Sequence, residues 1–324
     1  MKPYVIAEMG VNFYDTAKKL NINPLEAAKM YIDAAAEAGI DCAKFQSYKA
    51  GTIVSKNSPA YWDLTKEPTK TQYELFLKHD SFGECEYREL CKYTHDKGMD
   101  FTSTPFDYAS ADYLERMVDF YKISSSDLSN IPFIKHIAQK GKKMIVSVGA
   151  AYLSEVDEAI RAIMETGNND IAILHCVLSY PTSPKDANLK VIQTLKRTFP
   201  DVQIGYSDHV APDENMQTLA TAYFLGAEII EKHFTLDKSL TGNDHYHSGD
   251  PSDFKKAVAN FKWVDQVLGS GNKTVLDCEL VPRKEARRSL VLTRDMKAGE
   301  VIEKTDIMPK RPGTGISPDF AQIV

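Results

Sequence analysis

Two lysines stand inside runs that are otherwise apolar or small: Lys44 in "CAKFQSY" and Lys122 in "FYKISS". A buried ammonium is costly unless it is paired or put to use. Hydroxyl residues close several runs of the same kind: Thr104, Ser125, Ser147 and Ser207. Two positive charges ringed by hydroxyls and backbone N–H groups make a socket for phosphate or carboxylate. The lysines could equally be structural partners of Glu8 and Glu231, and from the residues alone both readings stand.

Histidines supply a second chemistry. His209 in "YSDHV" and His233 in "EKHFT" close successive runs, so their rings can converge. Two imidazoles with open positions suit a divalent ion acting as a Lewis acid. Each alone would more often be a core histidine bonded to a carbonyl. The stretch "IIEKHFTLDKSLTGNDHYHSGD" carries three of the eight histidines, and its loop returns Asp244 to the mouth. His245 reads as a rim residue and His247 as solvent-facing. His79, His95 and His136 read as surface residues, and His175 as core or rim.

These side chains need a frame that brings distant segments to one mouth. Short β-branched and aromatic runs recur at 4–9, 42–48, 100–104, 120–125, 143–148, 171–176, 202–207 and 227–234. Helix-like segments separate them. "NPLEAAKMYIDAAAEAG" has Asn23 as N-cap and Pro24 at the first helical position. "LSEVDEAIRAIMETG" has Ser154 as N-cap. Eight strands each followed by a helix, apolar on both faces, predict an α/β fold: a (β/α)8 TIM barrel with its chemistry at the C-terminal strand ends. An open doubly wound sheet would carry a Gly-rich turn after its first strand, and "AEMGVN" is not one.

The barrel is expected over 1–270, with a long insertion at 49–82. Residues 271–285 read as a linker. Residues 286–324 read as a small β-rich domain with turns at "KAGE" and "RPGTG". The net charge of −6 gives no sign of bulk nucleic-acid binding. Five cysteines without a CxxC pair suggest reduced thiols and a cytoplasmic home. No apolar run reaches membrane-spanning length.

Nine segments carry a resemblance: "AEMGVN", "KFQSY", "STPFD", "KISSSD", "VSVGA", "LHCVLSYPT", "GYSDH", "EKHFT" and "KRPGTG". In order and spacing they resemble the motifs of the sialic acid (N-acetylneuraminate) synthases. Those are (β/α)8 enzymes with a C-terminal antifreeze-like (SAF) domain. The resemblance implies condensation of phosphoenolpyruvate with N-acetylmannosamine, giving N-acetylneuraminate and phosphate with C–O cleavage. It places the phosphoenolpyruvate socket on Lys44, Thr104, Lys122, Ser125, Ser147 and Ser207. It places sugar contacts on Gln46, Asp127, Tyr180 and Asp244, and on Arg311 reaching across a domain-swapped homodimer. It places a Mn²⁺ or Mg²⁺ ion on His209 and His233, and makes Glu8 or Asp244 the group that handles the attacking water.

Three positions depart from the family's usual pattern. Phe13 and Asp15 stand where a His and a Gly are common, and Leu178 where Asn is common. The tail "DFAQIV" stops sooner than a full antifreeze-like domain would. Related synthases of legionaminic or pseudaminic acid share the core motifs. The sequence also admits a sugar-phosphate acceptor, a Schiff-base aldolase and a non-catalytic carbohydrate-binding module.

Overall fold

The structure is a computed structural model, and it describes residues 2–242 and 244–322. The last two positions of the expected C-terminal domain lie outside the described residues. The chain forms two compact units, Met1–Val267 and Leu268–Val324.

The first unit holds eight strands: β1 Tyr4–Gly10, β2 Cys42–Ser47, β3 Asp100–Pro105, β4 Tyr121–Ile123, β5 Met144–Ser147, β6 Ile171–Cys176, β7 Gln203–Asp208 and β8 Ile229–His233. All paired neighbours are parallel, in the order β3-β2-β1-β8-β7-β6-β5-β4. Helices between the strands make this the expected (β/α)8 architecture. The seam between β3 and β4 is joined differently. Thr102 Oγ1 donates to the Phe120 carbonyl at 2.6 Å, and the Asp119 carboxylate accepts from the Phe101 N–H at 2.8 Å. Those side chains supplement a backbone bond across the seam, from the Asp119 N–H to the Phe101 carbonyl at 3.0 Å.

Strand alternation sorts the side chains into two environments. Val5, Ala7, Phe45, Phe101, Tyr121, Val146, Ile173, Ile204 and Ile230 belong to the main core with the helices. The opposite parity forms a second apolar cluster of Ile6, Cys42, Phe120, Ile145, Leu174 and Ile229. That cluster plugs the barrel interior. Two residues further along the same parity come Glu8, Lys44, Lys122, Ser147, Cys176 and Glu231. The polar site is thus the layer above an apolar plug. Gly205 belongs to the inward parity because Leu174 needs the space: a Cβ there would lie 2.4 Å from Leu174 Cδ2 and 2.5 Å from the Ile229 carbonyl.

Lys232 has the outward parity and a purely structural part. It pairs with Asp208 at 2.6 Å and donates to the Val210 carbonyl at 2.7 Å, with its side chain fully buried. Tyr206 and the Val210 N–H satisfy the other Asp208 oxygen. Removing one partner of such a pair typically costs about 3–5 kcal/mol, because it strands a buried charge.

Two local expectations need correction. The helix Leu153–Met164 is capped at Tyr152, not Ser154, and the Glu155 carboxylate accepts the Tyr152 N–H at 2.6 Å. The acidic residue thus reaches back to the cap backbone, and Ser154 sits inside the first turn. The stretch read as linker is partly ordered, with a turn at Asp277–Glu279 and a helix at Leu280–Ala286. The insertion after β2 folds into short helices at Ala50–Ile53 and Gln72–Leu77, joined by a Pro59–Thr71 bridge. The second unit pairs two antiparallel strands, Ser289–Leu292 and Ile307–Lys310. No helix of the described residues is long and apolar enough to cross a membrane.

Candidate active site

A cavity of about 400 Å³ opens above the plug. Thirteen of the fourteen residues singled out from the sequence line it: Glu8, Lys44, Gln46, Thr104, Lys122, Ser125, Asp127, Ser147, Tyr180, Ser207, His209, His233 and Asp244. Arg311, the fourteenth, is exposed in the second unit beyond the strand Ile307–Lys310. Glu231, Cys176, Ser124, Ser126 and Leu178 also line the cavity, and so do Ile53, Tyr61, Gln72 and Phe76 from the insertion.

The base of the cavity is a network of two lysines and two glutamates. Register puts Glu8 beside Lys44 on β2 and beside His233 on β8. Lys44 pairs with Glu8, lies 3.7 Å from Glu231, and donates to Thr104 Oγ1 at 3.2 Å. Lys122 lies 3.6 Å from Glu231 and donates to Ser147 Oγ at 2.7 Å. Ser207 donates to Glu231 at 2.9 Å, and Gln46 donates to Glu8 at 2.7 Å. The lysines are ion-paired, and they face the cavity.

Burial sets the protonation of this network. It pushes Glu8 up to about 7, with Glu231 adding to the rise and Lys44 opposing it. Burial also acts to raise Glu231, but Lys122, Lys44 and Ser207 outweigh it and hold that carboxyl low. Burial lowers Lys122, and the charge of Lys44 adds to that fall. For Lys44 the two glutamates overcome burial and keep its pKa raised. Two neighbouring carboxyls with pKa values pushed apart are an arrangement suited to acid–base work.

The upper wall carries the imidazoles. His209 Nδ1 donates to the Val177 carbonyl at 2.7 Å, which leaves Nε2 as the free lone pair. The Tyr180 ring lies 4.2 Å from the His209 ring, centroid to centroid. The His209 and His233 rings are 5.3 Å apart, so the two histidines do converge. Burial and the neighbouring His247 and His209 hold His233 well below its ordinary pKa, so it is a neutral imidazole. Among the described residues, His233, Asp244 and His247 form one group able to hold a metal, with ligand atoms within 4.8 Å of one another. Burial raises the Asp244 carboxyl.

Three histidine readings change. His247, expected in solvent, is 0% exposed. His245 is also buried; its Nδ1 bonds Thr235 Oγ1 at 2.8 Å and its Nε2 bonds Asp15 at 3.2 Å. Asp15, where the family often has Gly, thus fixes this loop from below. His79 is half-buried and 3.9 Å from the same carboxylate. The signal for His247 was its place in a segment that pairs back on β8, through the Phe234–Gly249 bridge. His175 is core: it donates to the Ala187 carbonyl at 2.8 Å and packs on Tyr206.

The model of the NeuB family matches residues 31–273, which is most of the chain. The chain belongs to the NeuB family. The SAF domain model matches residues 287–324. An N,N'-diacetyllegionaminic acid synthase of Legionella pneumophila is 40% identical over 98% of this chain and 88% of its own. The human N-acetylneuraminate-9-phosphate synthase is 31% identical over 92% of this chain and 80% of its own. A crystal structure of N-acetylneuraminic acid synthetase from Leptospira borgpetersenii, in complex with citrate, superposes with a TM-score of 0.75 at 32% identity. It covers 87% of this chain and 90% of that one. NeuB synthases are phosphoenolpyruvate-utilising sugar-acid synthases.

Proposed function

We propose that this NeuB member condenses phosphoenolpyruvate with N-acetylmannosamine, giving N-acetylneuraminate and phosphate. One observation carries the reading. A single cavity gathers two buried lysines, a set of hydroxyls and converging imidazoles above an apolar plug.

In this reading Lys44, Lys122, Thr104, Ser125, Ser147 and Ser207 hold the carboxylate and phosphate of phosphoenolpyruvate. The anion competes with Glu8 and Glu231 for the two ammonium groups. Gln46, Asp127, Tyr180 and Asp244 orient the sugar. His209 and His233 fit a divalent ion, Mn²⁺ or Mg²⁺, which when bound polarises the aldehyde oxygen of the acceptor. The methylene carbon of phosphoenolpyruvate attacks the aldehyde carbon. The cationic centre left at C2 takes up water, and phosphate departs as the C–O bond breaks. Glu8 or Asp244 accepts the proton of that water. Arg311 is assigned to the sugar across a domain-swapped homodimer, and chromatography returning only monomer would remove that role.

A second acceptor is favoured by one feature. Ile53, Phe76, Phe106 and Leu178 add apolar side chains to the cavity wall. Such a wall suits a sugar with fewer hydroxyls and a second acetamido group. Relatives at 40% and 35% identity are named N,N'-diacetyllegionaminic acid synthases. Phosphate release should be measured with phosphoenolpyruvate, Mn²⁺ and a panel of hexosamines. Turnover is expected only with 2-acetamido sugars; a rate with the diacetamido sugar more than about tenfold above N-acetylmannosamine would select the second acceptor. No turnover with any member of the panel would reject both.

A further inference from the structure

His247 stands out among the buried groups that the reaction above does not use. Its side chain is fully buried, yet neither ring nitrogen has a hydrogen-bond partner. A buried polar group without a partner costs about 1–3 kcal/mol, and folded proteins leave few of them unexplained. The neighbouring His233 Nδ1 is buried and unpartnered as well.

The two orphaned rings flank one carboxylate. His233 Nδ1 lies 3.6 Å from one Asp244 oxygen, and His247 Nε2 lies 3.9 Å from the other. Those separations are too long for hydrogen bonds. They lie about 0.2 and 0.5 Å above the tetrahedral spacing of atoms that share an ion. With bonds of about 2.1 Å, two ligands of one ion sit roughly 3 Å apart at right angles and about 3.4 Å apart in a tetrahedron. The His233 and His247 rings are 4.8 Å apart, and His209 lies 5.3 Å from one and 6.1 Å from the other.

The backbone holds His247 in this position. The Gly249 N–H donates to the His233 carbonyl at 2.8 Å, and Ser248 Oγ donates to the Asp244 carbonyl at 2.6 Å. The Tyr180 ring covers His247 at 5.4 Å, and Tyr246 Oη donates to the Tyr180 carbonyl at 2.9 Å.

We infer that His247 is a third imidazole ligand of the metal site, completing with His209 and His233, beside Asp244, a nitrogen-rich set for a divalent transition ion. Such a donor set favours cobalt, zinc or manganese over magnesium, which prefers oxygen ligands and retained water. The inference deepens the metal assignment in the proposed function, but its test needs neither substrate nor turnover.

Metal-free full-length protein should be titrated with Co²⁺ and Mg²⁺ by calorimetry and visible absorption. The wild type is expected to bind one Co²⁺ with d–d bands. His247→Ala is expected to weaken Co²⁺ binding at least about 100-fold and to dim those bands, while Mg²⁺ affinity moves less than about threefold. A folded His247→Ala protein with unchanged Co²⁺ affinity and spectrum would overturn the inference and leave a ring packed beside trapped water. Should the variant not fold, X-ray absorption on Co²⁺-loaded wild type decides the matter. Three imidazoles in the coordination shell support the inference, and two or fewer refute it. Loss of synthase activity with this metal behaviour intact would count against the proposed function alone.

Discussion

Lys122→Met is expected to lower kcat/KM for phosphoenolpyruvate by about 10³-fold or more, the scale set by removing one charged donor from a dry site. Lys122 is buried, bonded to Ser147 Oγ at 2.7 Å and 3.6 Å from Glu231. Its removal deletes half of the positive charge at the base of the cavity. It also leaves Glu231 with Lys44 as its remaining lysine, 3.7 Å away, so Glu231 becomes a poorer neighbour for an incoming anion. The effect should appear as lost phosphoenolpyruvate affinity in calorimetry, with circular dichroism unchanged. A folded variant that binds phosphoenolpyruvate as the wild type does would make Lys122 a purely structural cation.

Glu8→Gln is the second large effect, and it carries a pH signature. Burial raises the Glu8 carboxyl from 4.5 to about 7. If Glu8 accepts the proton of the attacking water, wild-type kcat falls as pH drops through about 7. The glutamine variant should lose about 10²- to 10⁴-fold in kcat and also lose that acid limb. If the limb survives in the variant, the base is Asp244. Stability moves in the opposite sense. A carboxyl raised by folding holds its proton in the native state after the unfolded chain has released it. Its contribution is fully present below about 4.5 and is lost as pH rises through about 7, on the order of 3 kcal/mol. Between pH 5 and pH 8 the wild type should therefore lose stability relative to Glu8→Gln, as read by urea denaturation at each pH.

The barrel was legible because strand parity is a two-residue code, and the plug and site layers are successive inward positions of the same strands. Lys44 and Lys122 were conspicuous for the same reason, as charges at inward positions. What the sequence could not separate was pairing from ligand binding. Glu8 and Glu231 do the first in a way that leaves both lysines facing the cavity, an arrangement that only coordinates show. His247 escaped because a loop has no periodicity. Its burial is decided by the Phe234–Gly249 bridge and by Tyr180 packing from the loop after β6. The cap at Tyr152 was missed because the capping interaction there uses a backbone N–H and Glu155, so the cap residue's own type carried no information.

In the proposed reaction the cavity joins the methylene carbon of phosphoenolpyruvate to the aldehyde of an amino sugar. Incubating the full chain with phosphoenolpyruvate labelled with ¹³C at that carbon, an N-acetylated hexosamine and Mn²⁺ tests it directly by mass spectrometry. A labelled product with three carbons more than the acceptor is expected, formed in equal amount with phosphate. Phosphate released without acceptor, with labelled pyruvate as the sole organic product, would contradict it.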